Sequence, residues 1–425
     1  MTSFSIQSFG CRVNQAEAFE WADEFQKKGY AYEIDHTKSD LILVNTCTVT
    51  SRADSDVRGF LRRIRRENPR AKLVLTGCYV ERDPDKFKND PQVWRILPNS
   101  EKASISEMLT PLDQAEKERS LKPFRSRALV KIQDGCDFRC TFCVVPHVRG
   151  HSISLDRDKI ISQVKKYSSQ GFEEIVLTGV HLCLYGTGRD RTVSLIDLLK
   201  ELEKVEGLGR IRLSSLDPRF LSDEKLEYLT KSPKICPHFH FSLQSGCDRV
   251  LQQMGRKIRV IDYERVLDFF HQAIPHAALG ADILVGFPEE SASDFEETQR
   301  FLQMSPLTYL HVFTYSPRPG TQASTLSPVR HREKVRRARV LRALSYQKNF
   351  LFRQQFLEKE FEAVVIKKSG ERARVLTSNF IHVDVPLCPK SEKQGVKIKV
   401  THVSEDRTEG EVTGSLPEPL NAGVL

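Results

Sequence analysis

The sequence predicts an α/β protein in three parts: an N-terminal doubly wound parallel-sheet domain, a central partial (β/α)6 barrel and a small C-terminal all-β barrel. Three observations predict it. Apolar runs alternate with helical periodicity over residues 3 to 77; the alternation restarts at residue 128 and repeats six times; from residue 358 onward short strands follow one another between turn residues. The 425-residue length is about three times that of a typical domain, which leaves room for all three.

SFSIQSFG (3 to 10) reads as a strand, and Asn14 to Lys28 as a helix closed by Gly29. DLILVNT (40 to 46) is a continuous apolar run, the pattern of a strand buried on both faces, and it precedes an Arg-rich helix from Ser51 to Glu67. KLVLTG (72 to 77) is the third strand. The first domain then spans 1–112, and 113–127, which has no apolar period, reads as a linker. In 128–357, strands are expected at 128–135, 174–180, 210–215, 238–243, 278–287 and 309–316, with helices near 155–169, 193–204, 221–231, 261–273 and 292–303. Six units fall short of a complete eight-unit barrel, so the barrel is open, with its chemistry at the carboxyl ends of the strands. A basic helix from about 331 to 357 leads into five short strands in 358–420, the pattern of an oligonucleotide-binding barrel.

With 39% hydrophobic and 28% charged residues, the composition is that of a globular protein and excludes a disordered chain. No apolar run approaches the length of a membrane span, and TSFSIQSFG after Met1 is unlike a signal peptide, so no membrane role and a cytoplasmic location are expected. A net charge of +9 fits a polyanionic partner. Ten cysteines in such a chain do not form a disulfide framework, because that compartment keeps thiols reduced.

GCDFRCTFC places Cys136, Cys140 and Cys143 in C-x3-C-x2-C spacing just after the first barrel strand. Three thiolates on one loop wrap one face of an iron–sulfur cube that normally takes four, which leaves one iron open for catalysis. A zinc site completed by His147 is the alternative, although zinc loops favour paired C-x2-C units. A second triad is dispersed: Cys11, Cys47 and Cys78 each follow one of the first three strands, at intervals of 36 and 31 residues. Those intervals match the strand–helix–strand period and bring the three thiols to the carboxyl edge of one sheet, where α/β folds place ligands. Cys183, Cys236, Cys247 and Cys388 lack such organisation and read as core or surface thiols, Cys183 being the nearest to a strand end.

The C-x3-C-x2-C loop, with Phe142 before its last cysteine and six strand–helix units after it, resembles the radical S-adenosylmethionine superfamily. The two triads together with the terminal barrel resemble its methylthiotransferase family over nearly the whole chain. GCRVNQAE and VNTCTVT resemble the branch acting on tRNA that bears N6-threonylcarbamoyladenosine, and TGVHL, RIRLSSLDP, SLQSG, DILVGFP and YSPRPGT strengthen the match. The isopentenyladenosine branch reads GCQMN at the first cysteine and the ribosomal-protein branch GCPKN, neither of which fits Arg12, Val13 and Asn14. The sequence departs from the family pattern at CDFRC, which lacks an Asn before the middle cysteine, at MGRK, and at GFPEES, where Glu289 replaces a glycine.

The resemblance implies a radical S-adenosylmethionine tRNA methylthiotransferase with two [4Fe-4S] clusters and S-adenosyl-L-methionine. The cluster on Cys136, Cys140 and Cys143 would cleave the cofactor to methionine and a 5′-deoxyadenosyl radical that removes hydrogen from C2 of the adenine. The cluster on Cys11, Cys47 and Cys78 would carry or bind the sulfur that is methylated and transferred. No residue acts as a catalytic acid or base, because an unactivated C–H bond offers no acidic proton. Phe142, Thr178, Gly179, Ser214, Ser215 and Gln244 lie at or beyond strand ends and are candidate cofactor contacts; Asn14, Gln15 and Asn45 flank the other triad. The implied partners are the tRNA, a reductant such as flavodoxin or ferredoxin, and a sulfur donor, with a C-terminal TRAM domain binding RNA. Arg52, Arg58, Arg62, Arg63, Arg65, Arg66 and Arg70, and Arg332, Lys334, Arg336, Arg337, Arg339 and Arg342 on the later helix, are candidates to track phosphates. The same chemistry on isopentenyladenosine tRNA or a ribosomal protein is the runner-up, and a noncatalytic iron–sulfur RNA-binding protein the alternative of another class.

Overall fold

A computed structural model describes residues 3–108, 126–187, 193–386 and 394–416. It divides into two units: the first holds the described residues up to 108 with 134–153 and 316–324, and the second holds the rest. The expected linker, up to residue 125, and Cys388 lie outside the described residues.

In the first unit, β1 (Ser3–Ser8), α1 (Arg12–Lys27), β2 (Ala31–Tyr32), β3 (Leu41–Thr46), α2 (Ser51–Glu67), β4 (Lys72–Gly77), α3 (Cys78–Arg82) and β5 (Val93–Ile96) build a five-stranded sheet in the order β2-β1-β3-β4-β5. All its pairings are parallel. β3 is central and buried throughout, as its unbroken apolar run requires. Alternate residues feed two cores: Phe4, Ile6, Leu41, Leu43 and Val74 meet Trp21 and Phe25 on one face, while Ile42, Val44, Leu73 and Leu75 meet Val57, Phe60, Leu61 and Ile64 on the other. Helices therefore cover both faces, as expected of a doubly wound sheet. The sequence pattern gives no sign of β2, of the later two-residue strand at Ile153–Ser154, or of β5: two residues carry no period, and β5, at the sheet edge, is only partly buried and lacks an apolar run.

The chain continues through β6 (Ala128–Asp134), α4 (Val145–Arg149), β7 (Ile153–Ser154), α5 (Arg157–Ser169), β8 (Glu174–Gly179), α6 (Leu195–Glu203), β9 (Arg210–Leu213), α7 (Asp223–Lys231), β10 (His238–Gln244), α8 (Asp248–Gln253), α9 (Val260–Ala273), β11 (Ala278–Val285), α10 (Ala292–Met304) and β12 (Tyr309–Thr314). β6, β8 and β9 pair in parallel, as do β10, β11 and β12, and isolated parallel bridges at Ile211–Ile235 and Leu216–Phe241 join the two sets. Six parallel strands thus form an open barrel. Side chains at helix starts fix its loops: Ser194 with Asp197 and Ser291 with Asp294 make capping boxes on α6 and α10. Among the described residues no helix is long and apolar enough to cross a membrane.

After α11 (His331–Gln354), the strands β13 (Glu360–Ser369), β14 (Arg372–Thr377), β15 (His382–Pro386), β16 (Gly395–Val403) and β17 (Thr408–Ser415) close into a barrel in the order β13-β14-β15-β17-β16. Phe352 of α11 and Phe356 just beyond it enter the barrel core with Val365, Val375, Val383, Val396 and Ile398. Thr377, Asn379 and Thr408 are buried as well, and their polar atoms are used: Thr377 Oγ1 donates to Asn379 Oδ1 at 2.7 Å, and Thr408 Oγ1 accepts from Arg353 at 2.9 Å.

The start of the open barrel is tied to this closed one by charge. Glu174, fully buried at the first position of β8, accepts from Arg210 Nε at 2.9 Å and Arg212 Nε at 2.7 Å. The same guanidinium groups donate to the carbonyls of Glu362, Leu376, Thr377 and Ser378. Burial pushes the Glu174 carboxyl up, but Arg212 and Arg210 outweigh it and hold it well below the ordinary range.

Two expectations change. Arg337 is 3% exposed and ion-paired with Glu290 and Glu333, so it anchors α11 and does not present its charge to solvent. On α2, Arg52, Arg63 and Arg66 contact Asp56 and Glu67 of the same helix and Arg65 contacts Asp90, so these four candidates for phosphate contact are already paired with acids.

Glu289, where the family pattern has glycine, has φ of +63°, the left-handed conformation that glycine adopts without a Cβ penalty. Its carbonyl accepts from Arg249 Nη2 at 2.9 Å, a contact that any residue retains. Glu289→Gly is expected to stabilise the protein by roughly 0.5–1 kcal/mol, the left-handed penalty less glycine's greater chain entropy. Thermal unfolding checks this, and a lowered midpoint would show that the position carries no strain.

Candidate functional site

The parallel register brings the dispersed triad together. Ser8 pairs with Asn45 and Asn45 with Thr76, so β1, β3 and β4 end level, and Cys11, Cys47 and Cys78 follow at the same sheet edge. Cys11 is exposed at the start of α1, whereas Cys47 and Cys78 are buried. A Cβ on Gly10 would lie 2.3 Å from Cys47 Sγ, so glycine is what lets the Cys11 loop close over Cys47. Burial, with Cys11 nearby, pushes the Cys47 thiol up to about 12.

Behind the thiols is a buried polar cluster. Asn14 donates to the carbonyls of Phe9 and Thr46 at 2.9 and 3.0 Å. Asn45 donates to the Asn14 carbonyl at 3.0 Å and to Glu17 Oε2 at 2.9 Å. Lys102 Nζ reaches Glu17 Oε2 at 2.7 Å and Arg149 Nη1 reaches Glu17 Oε1 at 3.2 Å, while Arg149 also bonds Asn14 and Asp134. Burial alone would lower the Arg149 pKa; Glu17, Cys78, Asp134 and Cys11 outweigh it and hold it well above the ordinary value. Burial pushes the Cys78 thiol up, and Arg149 and Lys102 oppose that shift. Asn14 and Asn45 are therefore structural supports of the triad, whereas Gln15 is half-buried with one long contact, 3.5 Å, to the Gly10 carbonyl. Sequence reasoning missed Glu17, Lys102 and Arg149. Arg149 had a signal, an arginine before Gly150 six residues beyond Cys143; Lys102 had none.

The contiguous triad belongs to the same unit. Cys136, Cys140 and Cys143 are partly exposed on the loop after β6. Cys136 N donates to the Gly150 carbonyl at 3.0 Å, Cys143 N to that of Cys140 at 3.0 Å, and Ala323 N to that of Thr141 at 2.9 Å, which pins the loop at three points. Gly135 has φ of +68°, and a Cβ there would fall 1.9 Å from the His151 carbonyl oxygen, so the turn into the loop requires glycine. Val144 and Val148 pack with Cys78. Phe142 is half-buried and His147 exposed. Arg318 of the YSPRPGT motif is buried and bonds Asp54 at 2.8 Å.

The other five candidate contacts lie in the second unit. Thr178 Oγ1 donates to the Val130 carbonyl at 3.3 Å, a structural use of the hydroxyl. Gly179 lies where a Cβ would come within 3.0 Å of Gln133 Oε1. Ser214 is buried and Ser215 half-buried beyond β9. Gln244 ends β10 with φ of +74°, and non-glycine residues held in that conformation cluster at functional sites. Beyond β9, Asp217 of the RIRLSSLDP motif collects Arg219 at 2.6 Å, His181 at 3.2 Å and Arg256 at 3.5 Å, a convergence that its motif alone does not reveal. Cys183, Cys236 and Cys247 are buried.

A family model described as "Radical SAM superfamily" matches residues 130–302, and one described as "Uncharacterized protein family UPF0004" matches residues 3–97. "Threonylcarbamoyladenosine tRNA methylthiotransferase MtaB" of Aquifex aeolicus is 37% identical over 397 residues, spanning 89% of this chain and 95% of that protein. "tRNA-2-methylthio-N(6)-dimethylallyladenosine synthase" of Lachnoclostridium phytofermentans is 32% identical over 345 residues, spanning 76% and 75%. The radical S-adenosylmethionine methyltransferase TsrM of Kitasatospora setae, solved with cobalamin and a [4Fe-4S] cluster, shares the fold with a TM-score of 0.55 at 15% identity, over 76% of this chain and 77% of that one.

Glu17 is 2% exposed and compensates two buried cations. Glu17→Gln keeps its shape but removes the charge, and is expected to destabilise the first unit by about 3 kcal/mol. Amide hydrogen exchange in β1, β3 and α1 reads this directly; unchanged protection there would mean that the cluster does not hold the unit together.

Proposed function

We propose that this chain, which belongs to the radical S-adenosylmethionine methylthiotransferase family and acts as a tRNA methylthiotransferase, adds a methylthio group to C2 of N6-threonylcarbamoyladenosine next to the anticodon. The observation that carries the reading is the role of residues 10–17 and 44–50. Their branch-like motifs supply the exposed Cys11 and the buried Asn14, Glu17, Asn45 and Cys47, which make up much of the site at the sheet edge. The Aquifex relative, named for that nucleoside, supports the same branch.

The family brings S-adenosylmethionine and a [4Fe-4S] cluster, and the residues present fit them. Cys136, Cys140 and Cys143 would hold the cluster: three partly exposed thiols on a loop pinned at both ends leave one iron for the cofactor. When bound, the cluster supplies the electron for reductive cleavage of S-adenosylmethionine, which drives removal of the C2 hydrogen. Cys11, Cys47 and Cys78 would hold the second cluster, with Arg149 and Lys102 compensating the negative charge of its thiolates. Phe142, Gly179, Ser214, Ser215 and Gln244 remain the candidates to orient the cofactor, with Thr178 shaping the strand end. A reductant such as flavodoxin or ferredoxin and a sulfur donor complete the reaction.

The terminal barrel is the proposed TRAM domain. Lys367, Lys368, Arg372 and Lys397 are exposed on its strands and suit phosphate contacts.

With two clusters, about eight irons per reconstituted chain are expected, and the Cys11, Cys47, Cys78 triple alanine variant should keep about half. That variant should still cleave S-adenosylmethionine. Full iron content in it would remove the second-cluster assignment.

Deuterium at C2 of the modified adenine should appear in 5′-deoxyadenosine, because hydrogen transfer is direct. Deuterium retained on methylthiolated tRNA would refute abstraction at that carbon. Unmodified adenosine or isopentenyladenosine at the same position should react ~100-fold more slowly or worse, since a site built to bind a carboxylate and hydroxyl discriminates against their absence. Equal turnover of isopentenylated tRNA would overturn the branch and leave the radical chemistry standing.

A further inference from the structure

The second unit carries a polar group that the proposed reaction does not use. Phe239 and Phe241 of β10 pack on Phe270 of α9, with ring centroids 4.0 and 5.9 Å apart, so the alternate residues His238 and His240 turn to the inner face of the open barrel. The register puts His240 beside Gly280 and Gly280 beside Tyr309, with Asp282 beside His311 two residues further along. One histidine, one aspartate and a second histidine therefore come from three adjacent strands onto one face.

The donor atoms converge. His240 Nε2 lies 3.0 Å from Asp282 Oδ1, and His311 Nδ1 lies 3.5 Å from the same oxygen. One ligand atom from each residue falls within 4.8 Å of the others. Burial is graded across the group: His240 is 7% exposed, the Asp282 side chain 24% and the His311 side chain 48%. An ion could thus enter from the His311 side.

The surroundings orient the inner ligand. Tyr309 Oη sits 3.0 Å from His240 Nδ1 and 2.8 Å from His238 Nε2. In the tautomer whose Nδ1–H donates to that oxygen, Nε2 carries the lone pair that a metal ligand needs, with Asp282 Oδ1 beside it at 3.0 Å. Gly280 makes this possible, because a Cβ there would lie 2.0 Å from the Tyr309 ring. The buried cation Arg212 stands over Phe380, the ring stacked on His238, and its charge is met by Glu174.

We propose that His240, Asp282 and His311 form a three-ligand site for a zinc-class divalent cation, with an open coordination position on the His311 side. Two imidazoles and a carboxylate suit zinc, and three protein ligands leave a fourth position for water or an anionic oxygen. Tyr309 is a positioning residue that fixes the His240 ring. The proposal does not depend on which nucleoside the enzyme modifies.

The test uses the reconstituted full-length enzyme dialysed anaerobically against buffered zinc. One zinc per chain beyond the cluster iron is expected, and zinc X-ray absorption should show nitrogen and oxygen neighbours alone. Zinc with sulfur neighbours at about 2.3 Å would mean that cysteines had taken it, and no retained zinc would mean that the three residues merely share protons; either result overturns the site. Asp282→Asn and His311→Ala should each weaken zinc binding about tenfold or more, and Tyr309→Phe by about tenfold, with unfolding midpoints and iron content reporting that each variant is folded. Wild-type zinc affinity in both ligand variants would overturn the proposal, and the absorption spectrum of the unaltered enzyme decides the matter should a variant fail to fold.

Discussion

The first unit depends on one buried carboxylate. Glu17 receives Lys102 from the segment after β5, Arg149 from α4 and Asn45 from β3, so one side chain on α1 joins stretches that are up to 132 residues apart. Such a charge is tolerated away from water only when its partners are complete, and here each partner has further ones: Asn14 and Asp134 for Arg149, Asn45 for Lys102. The consequence is geometric. The end of the cysteine loop is held by Arg149 in the same cluster that supports the sheet-edge thiols, which leaves little freedom between the Cys136–Cys143 loop and Cys78.

The second unit repeats the strategy. Glu174 compensates Arg210 and Arg212, and the arginines use their remaining donors on carbonyls of the closed barrel. A neutral apolar plug would pack as densely, but it would leave those carbonyls without donors. In each unit, then, a buried carboxylate on a strand or helix fixes an element distant in sequence, and the apolar cores fill in around it.

What the sequence made legible follows from which signals are local or periodic. The DLILVNT run announced a central strand, and the 36- and 31-residue intervals placed Cys11, Cys47 and Cys78 at equivalent strand ends, where the register does bring them level. The contiguous triad needed no fold at all. Glu17, Lys102 and the His240, Asp282 and His311 group were illegible because each has meaning only through a partner on another strand or helix. Arg337 was misread for the same reason: its charge is visible in sequence, whereas Glu290, which cancels it, is 47 residues away. β2 was missed because two residues carry no period, and β5 because an edge strand that is only partly buried shows no apolar run.

Glu289 shows how a departure from a family pattern can leave the structure intact. The left-handed φ persists with a side chain present because the Glu289 N–H meets the Ser327 carbonyl at 3.2 Å and its own carbonyl meets Arg249, so the backbone is fixed from both sides. Glu290, the next residue, accepts from Gly286 N at 2.7 Å and pairs with Arg337. The loop is therefore determined by its neighbours, and the cost of a Cβ in that conformation, about 1 kcal/mol, is small beside these contacts. The replacement changes the strain stored in the loop while its path after β11 is kept.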